Sequence, residues 1–360
     1  MTSDNSLTVN HGARRVGFKF STGPSLARLV LTALFCVAGM RTADAHVKWF
    51  CAYDVAGQPR GLENVLCQDF ELLLGIALFW LLMGCLVERS FIGDAMTRAL
   101  NAATHRIMLN TELIVRAVCG FFLISIWATG GIILTPELKT TSTIVPTIQL
   151  LTAAGLLWRR TMPLSALGIV VLFGIAVHDY GAFHLADYPI FLGVAAYLAL
   201  TGLQKDLFGV RPLDVVRIAT GITLMWASIE KWAYPEWSFP IFIEHPALTF
   251  GFSAEFYMRA AGMVEFVLAF ALIWTPLVRR VAAIILAGMF ISACFEFGKL
   301  DTIGHSAIIA VLFAIMADDR VQVGDRRHPI LAPLSMSAAL VATLLVYYVG
   351  HAALFSTAVL

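Results

Sequence analysis

Val216-Arg217-Ile218-Ala219-Thr220-Gly221 opens a long apolar run that closes on Glu230-Lys231. Upstream, Val115-Arg116-Ala117-Val118-Cys119-Gly120 opens a run of the same cast that closes on Thr129-Gly130. The correspondence continues, with Ile148-Gln149 through Leu156-Leu157-Trp158 matching Val264-Glu265 through Leu272-Ile273-Trp274. His178-Asp179-Tyr180-Gly181 likewise matches Phe295-Glu296-Phe297-Gly298. Similar segments recurring in the same order mark a unit used twice. The two copies differ in charge: Glu230-Lys231 stands for Thr129-Gly130, Glu265 for Gln149 and Lys299 for Ala182.

Outside this repeat the composition is that of a membrane protein. The chain has 360 residues, of which 59% are hydrophobic and 14% charged, where soluble domains carry about a quarter charged residues. The mean hydropathy is +0.80. Apolar runs of about 17–25 residues can span ~30 Å of hydrocarbon. Such runs are expected near 70–87, 113–134, 144–158, 162–178, 187–204, 213–231, 254–274, 279–298, 302–317 and 331–354. None shows the strict alternation of barrel strands. The expectation is an all-α polytopic membrane protein of about ten transmembrane helices, eight of them forming two parallel four-helix repeats.

Basic residues set the orientation. Arg89, Arg98 and Arg106, then Arg159-Arg160, then Lys205, Arg211 and Arg217, then Arg279-Arg280, then Arg320, Arg326 and Arg327 fall in alternate connections. Short loops rich in Lys and Arg stay in the cytoplasm, which puts the mature N-terminus and the C-terminus outside, in a bacterial inner membrane. Both copies then run the same way through the bilayer. Residues 1–45 read as a leader: basic residues, a short apolar stretch from Leu29 to Met40, and Ala43-Asp44-Ala45. That is a signal peptide cleaved after Ala45 or an uncleaved anchor. The segments that follow are an extracytoplasmic stretch over 46–69 and a first span with its cytoplasmic loop over 70–112. Modules over 113–205 and 212–318 and a C-terminal span over 331–354 complete the chain.

Several side chains carry chemistry. Cys51 and Cys67 are the only cysteines in an outer loop. In an oxidising compartment they are expected to pair, closing a loop of about fifteen residues worth ~3 kcal/mol. Cleavage after Ala45 would expose His46, whose amine and imidazole suit copper(II). His178 and His184, with Asp179 and Asp187 close by, are further candidate metal ligands on the same side, though their spacing is not the i, i+4 of a helical metal pair. Glu230-Lys231, Glu265, Glu296 and Lys299 form the central candidate site, with His305, Asp301 and Arg259 as candidate cofactor-binding neighbours. An acid inside the bilayer costs about 2.5–3.5 kcal/mol on insertion scales unless it is paired or hydrated. Glu265 is the deepest of these, with Lys231, Lys299 and Arg259 as possible partners, whereas helix-end charges can reach the interface.

The pattern Arg217-x3-Gly221-x8-Glu230-Lys231-x3-Pro235, followed by Gly262-x2-Glu265 and a helix ending at Arg279-Arg280, resembles the four-helix module of the DoxX-like membrane family. The resemblance covers about 212–318, and 113–200 looks like a degenerate second module. It implies a membrane subunit or maturation factor associated with oxidoreductases, including quinone-linked sulfur oxidation. The Lys231 and Glu265 positions carry over, while Gly130 and Gln149 in the first copy depart from the pattern. No phosphate loop, H-E-x-x-H or C-x-x-C-H motif is present, and no basic patch suits nucleic acid. The leading expectation is therefore a redox-associated subunit in the lipid bilayer, working with an oxidoreductase or periplasmic redox protein. Its ligand would be small and polar or a quinone, with Glu265 as proton acceptor and Lys231 as cation. The alternatives are a copper- or other metal-handling protein, a small-solute or proton-coupled transporter, and a purely structural subunit.

Overall fold

The computed structural model describes residues 47–320 and 328–357. The leader over 1–45 and the copper ligand at His46 lie outside the described residues. Among the described residues the chain is helical, with two isolated bridges and no strand. Its longer helices are α1 Gln68–Glu88, α2 Phe91–Leu109, α3 Thr111–Thr129, α4 Ile144–Gly155, α5 Met162–Tyr180, α6 Pro189–Leu203, α7 Pro212–Ala233, α8 Ala254–Leu272, α9 Pro276–Phe297, α10 Lys299–Ala317 and α11 Leu331–Phe355. Each of the ten expected apolar runs lies largely in a helix, the run over 113–134 continuing five residues beyond the end of α3. Seven helices among the described residues are long and apolar enough to cross a membrane: α1, α3, α5, α7, α9, α10 and α11.

The other three runs fall short for physical reasons. With 12 and 15 residues, α4 and α6 reach only about 18 and 22 Å at 1.5 Å per residue. α8 carries Glu255, Arg259 and Glu265. The chain before α4 makes up the depth in another way: residues 132–138, Ile-Ile-Leu-Thr-Pro-Glu-Leu, are all buried inside the protein. Non-helical backbone survives at membrane depth only where protein covers it and satisfies its polar groups. Here Gln149 supplies part of that, its Nε2 donating to the carbonyls of Ile132 and Ile133 at 2.7 and 3.0 Å.

One helix has no counterpart among the expected spans. Residues 91–109, read as part of a cytoplasmic loop, form α2. Ser90 caps it, its Oγ accepting from the Gly93 amide at 3.4 Å. Phe91, Ile92, Met96 and Leu109 stay exposed, giving an amphipathic helix of the kind that lies along an interface.

Helices α3 to α10 pack in order, each on the next, and α10 returns against α3. α7 and α10 are the most enclosed, while α1 and α11 turn large apolar side chains such as Phe79, Trp80, Val341 and Val346 outward. Such faces suit hydrocarbon. At one end of the bundle, arginines tie helices together. Arg116 donates to the carbonyls of Leu156 and Leu157 at 2.9 and 2.7 Å, and Arg217 to that of Leu272 at 2.9 Å. Both thereby satisfy the orphan carbonyls at a helix C-terminus. Arg279 and Arg280, read from sequence as loop charges, are fully buried. Arg279 pairs with Asp318 at 3.1 Å, and Arg280 bonds the Met316 carbonyl at 2.8 Å and Asn101 at 2.5 Å. Glu88 completes this layer by accepting from the Leu277 amide at the start of α9 at 2.8 Å.

α6 and α7 approach most closely at Gly193, where a Cβ would lie 2.4 Å from the Ala219 Cβ. Small residues at such crossings let membrane helices come together. Gly174 on α5 has open space around it. Gly193→Leu is therefore expected to destabilise the protein by about 1–3 kcal/mol through overpacking, read as a lower melting temperature in detergent, with Gly174→Leu close to wild type. Equal melting temperatures would contradict the close crossing.

Candidate functional site

The end of the bundle opposite the arginine layer is closed by the segment leading into α1. Arg60 anchors it, its amide donating to the Ala233 carbonyl at 2.9 Å and its guanidinium forking onto Glu255 at 2.7 and 2.9 Å. Tyr348 donates to the Arg60 carbonyl and Tyr234 to that of Gly57, at 2.7 and 2.8 Å. So held, the segment inserts Lys48 and Trp49 between the helices.

The Lys48 ammonium is fully buried, 2.7 Å from Glu230 at the end of α7 and 3.2 Å from Asp187 before α6. It also lies 5.9 and 5.8 Å from the ring centres of Tyr53 and Trp237, within cation–π range. Burial by itself lowers the pKa of this ammonium, but Asp187, Glu230 and Glu137 outweigh it and leave it raised. Burial, followed by the charge of Glu137, pushes the Tyr53 phenol up to about 12. Glu137, carried inward by the buried 132–138 segment, accepts a hydrogen bond from Tyr188. The cluster thus sets three carboxylates against one ammonium. His184 packs among Tyr53, Tyr180 and Tyr188 at 5.5–6.3 Å between ring centres.

A second ion pair lies alongside. Lys231 Nζ is 2.5 Å from Glu265 Oε2, joining α7 to α8. The pair sits on the wall of a cavity of about 70 Å³. Asp187, Tyr188 and Thr135 line the same cavity, as do Trp49 and His305. Trp49 reaches that wall because residue 304 is glycine: a Cβ there would lie 2.2 Å from the indole. Its ring then rests 4.6 Å from that of His305, whose Nδ1 is 2.9 Å from Asp301 on the same face of α10.

The helices unite some of the expected residues and separate others. Lys231 and Glu265 meet. Glu230 turns to Lys48 instead, and His305 and Asp301 stand together beside the cavity. Glu296 and Lys299 are exposed and absent from the cavity wall; Glu296 pairs with His245 at 2.9 Å. Helix-end charges with access to solvent gain nothing by turning inward. Arg259 pairs with Glu255 and Asp69 at 3.4 and 3.6 Å, not with Glu265. His178 is exposed and bonded to Asp179, whereas His184 is buried in its aromatic cluster, and the two share no metal-sized grouping among the described residues. Cys51 and Cys67 are free thiols packed against different apolar clusters, so no disulfide closes this segment in the structure.

Lys48 and Glu137 are the residues that sequence reading passed over. Each had a signal: Lys48 stands in the aromatic string Trp49-Phe50-x2-Tyr53, and Glu137 is the lone acid in an apolar loop.

Removing the cation should be severe, because two buried acids lose their common partner. Lys48→Met is expected to cost about 3–5 kcal/mol, measured by unfolding in detergent, and adding Glu230→Gln should recover part of it. Since the folded-state pKa is raised, this stabilisation is complete below the free-lysine value of about 10.4 and is lost only as pH climbs through the folded value. Wild-type stability in Lys48→Met would show the buried pairs to be absent. Comparison with known proteins finds no match to a family model, a curated protein or a solved structure.

Proposed function

We propose that this protein is a DoxX-like, redox-associated membrane subunit that binds a small polar ligand between its helices, with Glu265 as proton acceptor and Lys231 as the cation that holds it charged. The observation that carries this reading is the Lys231–Glu265 pair on the wall of an internal cavity. Intramembrane ionisable groups are retained where they serve a pathway or a site. A cavity of about 70 Å³ takes a few waters or a small polar molecule, each water needing about 10–15 Å³ by this measure. That favours a small polar ligand over a quinone ring. The surplus of carboxylates around Lys48 suits the uptake of a proton alongside the ligand.

The duplication read in the sequence is supported by two arginines. Arg116 and Arg217 occupy aligned positions and bond carbonyls at aligned positions, Leu156 and Leu272. The residues aligned with the ion pair do something different in the first module. Gly130 ends α3 with φ +75°, and Gln149 holds the buried loop. A neutral amide that both donates and accepts suits backbone at depth, and a carboxylate would not. On this reading ten helices cross a bacterial inner membrane, with the Lys48 end outside and facing a periplasmic redox partner.

Purified wild-type protein is expected to release its ligand on denaturation in stoichiometric amount, identified by mass spectrometry. Glu265→Gln should lose it, and Gln149→Ala should keep it in proportion to folded protein. Stoichiometric quinone that disappears in Glu265→Gln would move the ligand to the quinone class. Identical contents in wild type and Glu265→Gln would contradict the assignment of the site to this pair.

A further inference from the structure

Beyond the Lys231–Glu265 pair, a cluster of another kind lies where α9 turns into α10. Cys294 stands one turn from the end of α9, and Asp301 and His305 lie four residues apart on one face of α10. Gly298 makes this possible. At φ +75° and ψ −144° it occupies a conformation that residues with a Cβ avoid, and it folds the chain back so that the thiol faces the carboxylate. The ligand atoms of Cys294, Asp301 and His305 all lie within 4.8 Å of one another. Among the described residues this is the one such group of potential metal ligands. Asp301 is fully buried, and among the described residues no donor meets its Oδ1 within hydrogen-bond geometry. A buried carboxylate oxygen left without a donor is unfavourable.

We propose that Cys294, Asp301 and His305 form a binding site for a borderline divalent cation of the zinc class. The donor set decides the class: sulfur, imidazole nitrogen and one carboxylate suit zinc, whereas calcium and magnesium take oxygen ligands. Tetrahedral bonds of 2.0–2.3 Å place ligand atoms about 3.3–3.8 Å apart, so small side-chain rotations close the present grouping onto an ion. Binding displaces the thiol proton to solvent and leaves a thiolate on the metal. Three protein ligands leave a fourth position open, the arrangement of zinc sites that also hold water or substrate. His305 belongs to both the cluster and the cavity wall, which sets the ion beside the cavity. The proposal holds whatever ligand Glu265 binds.

The test uses full-length protein in detergent, stripped with a chelator and titrated with Zn²⁺ by calorimetry, then with Co²⁺ followed by absorption. One ion per chain is expected, with a thiolate-to-cobalt charge-transfer band. Cys294→Ser and Asp301→Asn should each weaken Zn²⁺ binding at least about tenfold, the loss that follows removal of even a supporting group. The cobalt band should vanish in Cys294→Ser and persist in Asp301→Asn at saturating metal. His178→Ala, an exposed control, should bind as wild type. Absence of saturable binding in wild type would overturn the proposal. So would a cobalt complex without the thiolate band, affinity unchanged in Asp301→Asn, or binding lost in His178→Ala.

Discussion

Lys48 comes from a segment outside the helical modules and neutralises Glu230 and Asp187 within them. The rest of this end of the molecule depends on that contact. A charge enclosed by apolar helices is tolerated only when a countercharge or hydrogen bonds meet it. With Lys48 engaged by Glu230, Lys231 is left to Glu265, so that neighbouring residues on α7 serve two ion pairs. Trp49 follows Lys48 inward, and a glycine at 304 gives its ring a seat beside His305. The polar part of the cavity wall is thus an ion pair, a buried acid, a phenol and an imidazole, and apolar side chains such as Phe191, Leu224 and Phe290 form the rest.

The same constraint explains the opposite end. Arg279 and Arg280 are buried yet paired, their guanidiniums spread over Asp318, Asn101 and main-chain carbonyls. Arginine suits such places because its planar fork satisfies several acceptors at once. Polar layers at both ends bracket an apolar middle. Gln149, at the position that aligns in sequence with Glu265, holds the backbone of an inward loop, and that loop brings Glu137 to the site.

Much of this was legible in the sequence where the physics is local. Long apolar runs forecast the helices, and an acid at position 265 within one of them required a cation, which Lys231 supplies. Partners distant in sequence left little trace. Nothing in the order of residues shows that Lys48, in a short polar segment, travels to Glu230, or that Glu137 is carried inward by its loop. Proximity in sequence misled in the other direction: Glu296 and Lys299 look like site charges but reach solvent, and Arg279-Arg280 look like loop charges but are enclosed. Cys51 and Cys67 share a segment yet pack against separate clusters, since pairing depends on where the fold sends each side chain and not on the loop between them. The helix over 91–109 escaped notice because its apolar positions form one exposed face and not a continuous run.

The central claim is that Lys231 and Glu265 form a single coupled unit in a low-dielectric interior. A double-mutant cycle with Lys231→Met, Glu265→Gln and the double variant, read as unfolding free energy in detergent, tests it most directly. Residues in direct charged contact give coupling energies of about 0.5–3 kcal/mol, and burial should place this pair in the upper part of that range. The account predicts two strongly destabilised single variants and a double variant more stable than their sum implies. Strict additivity would mean that the two side chains do not meet, and would contradict the site.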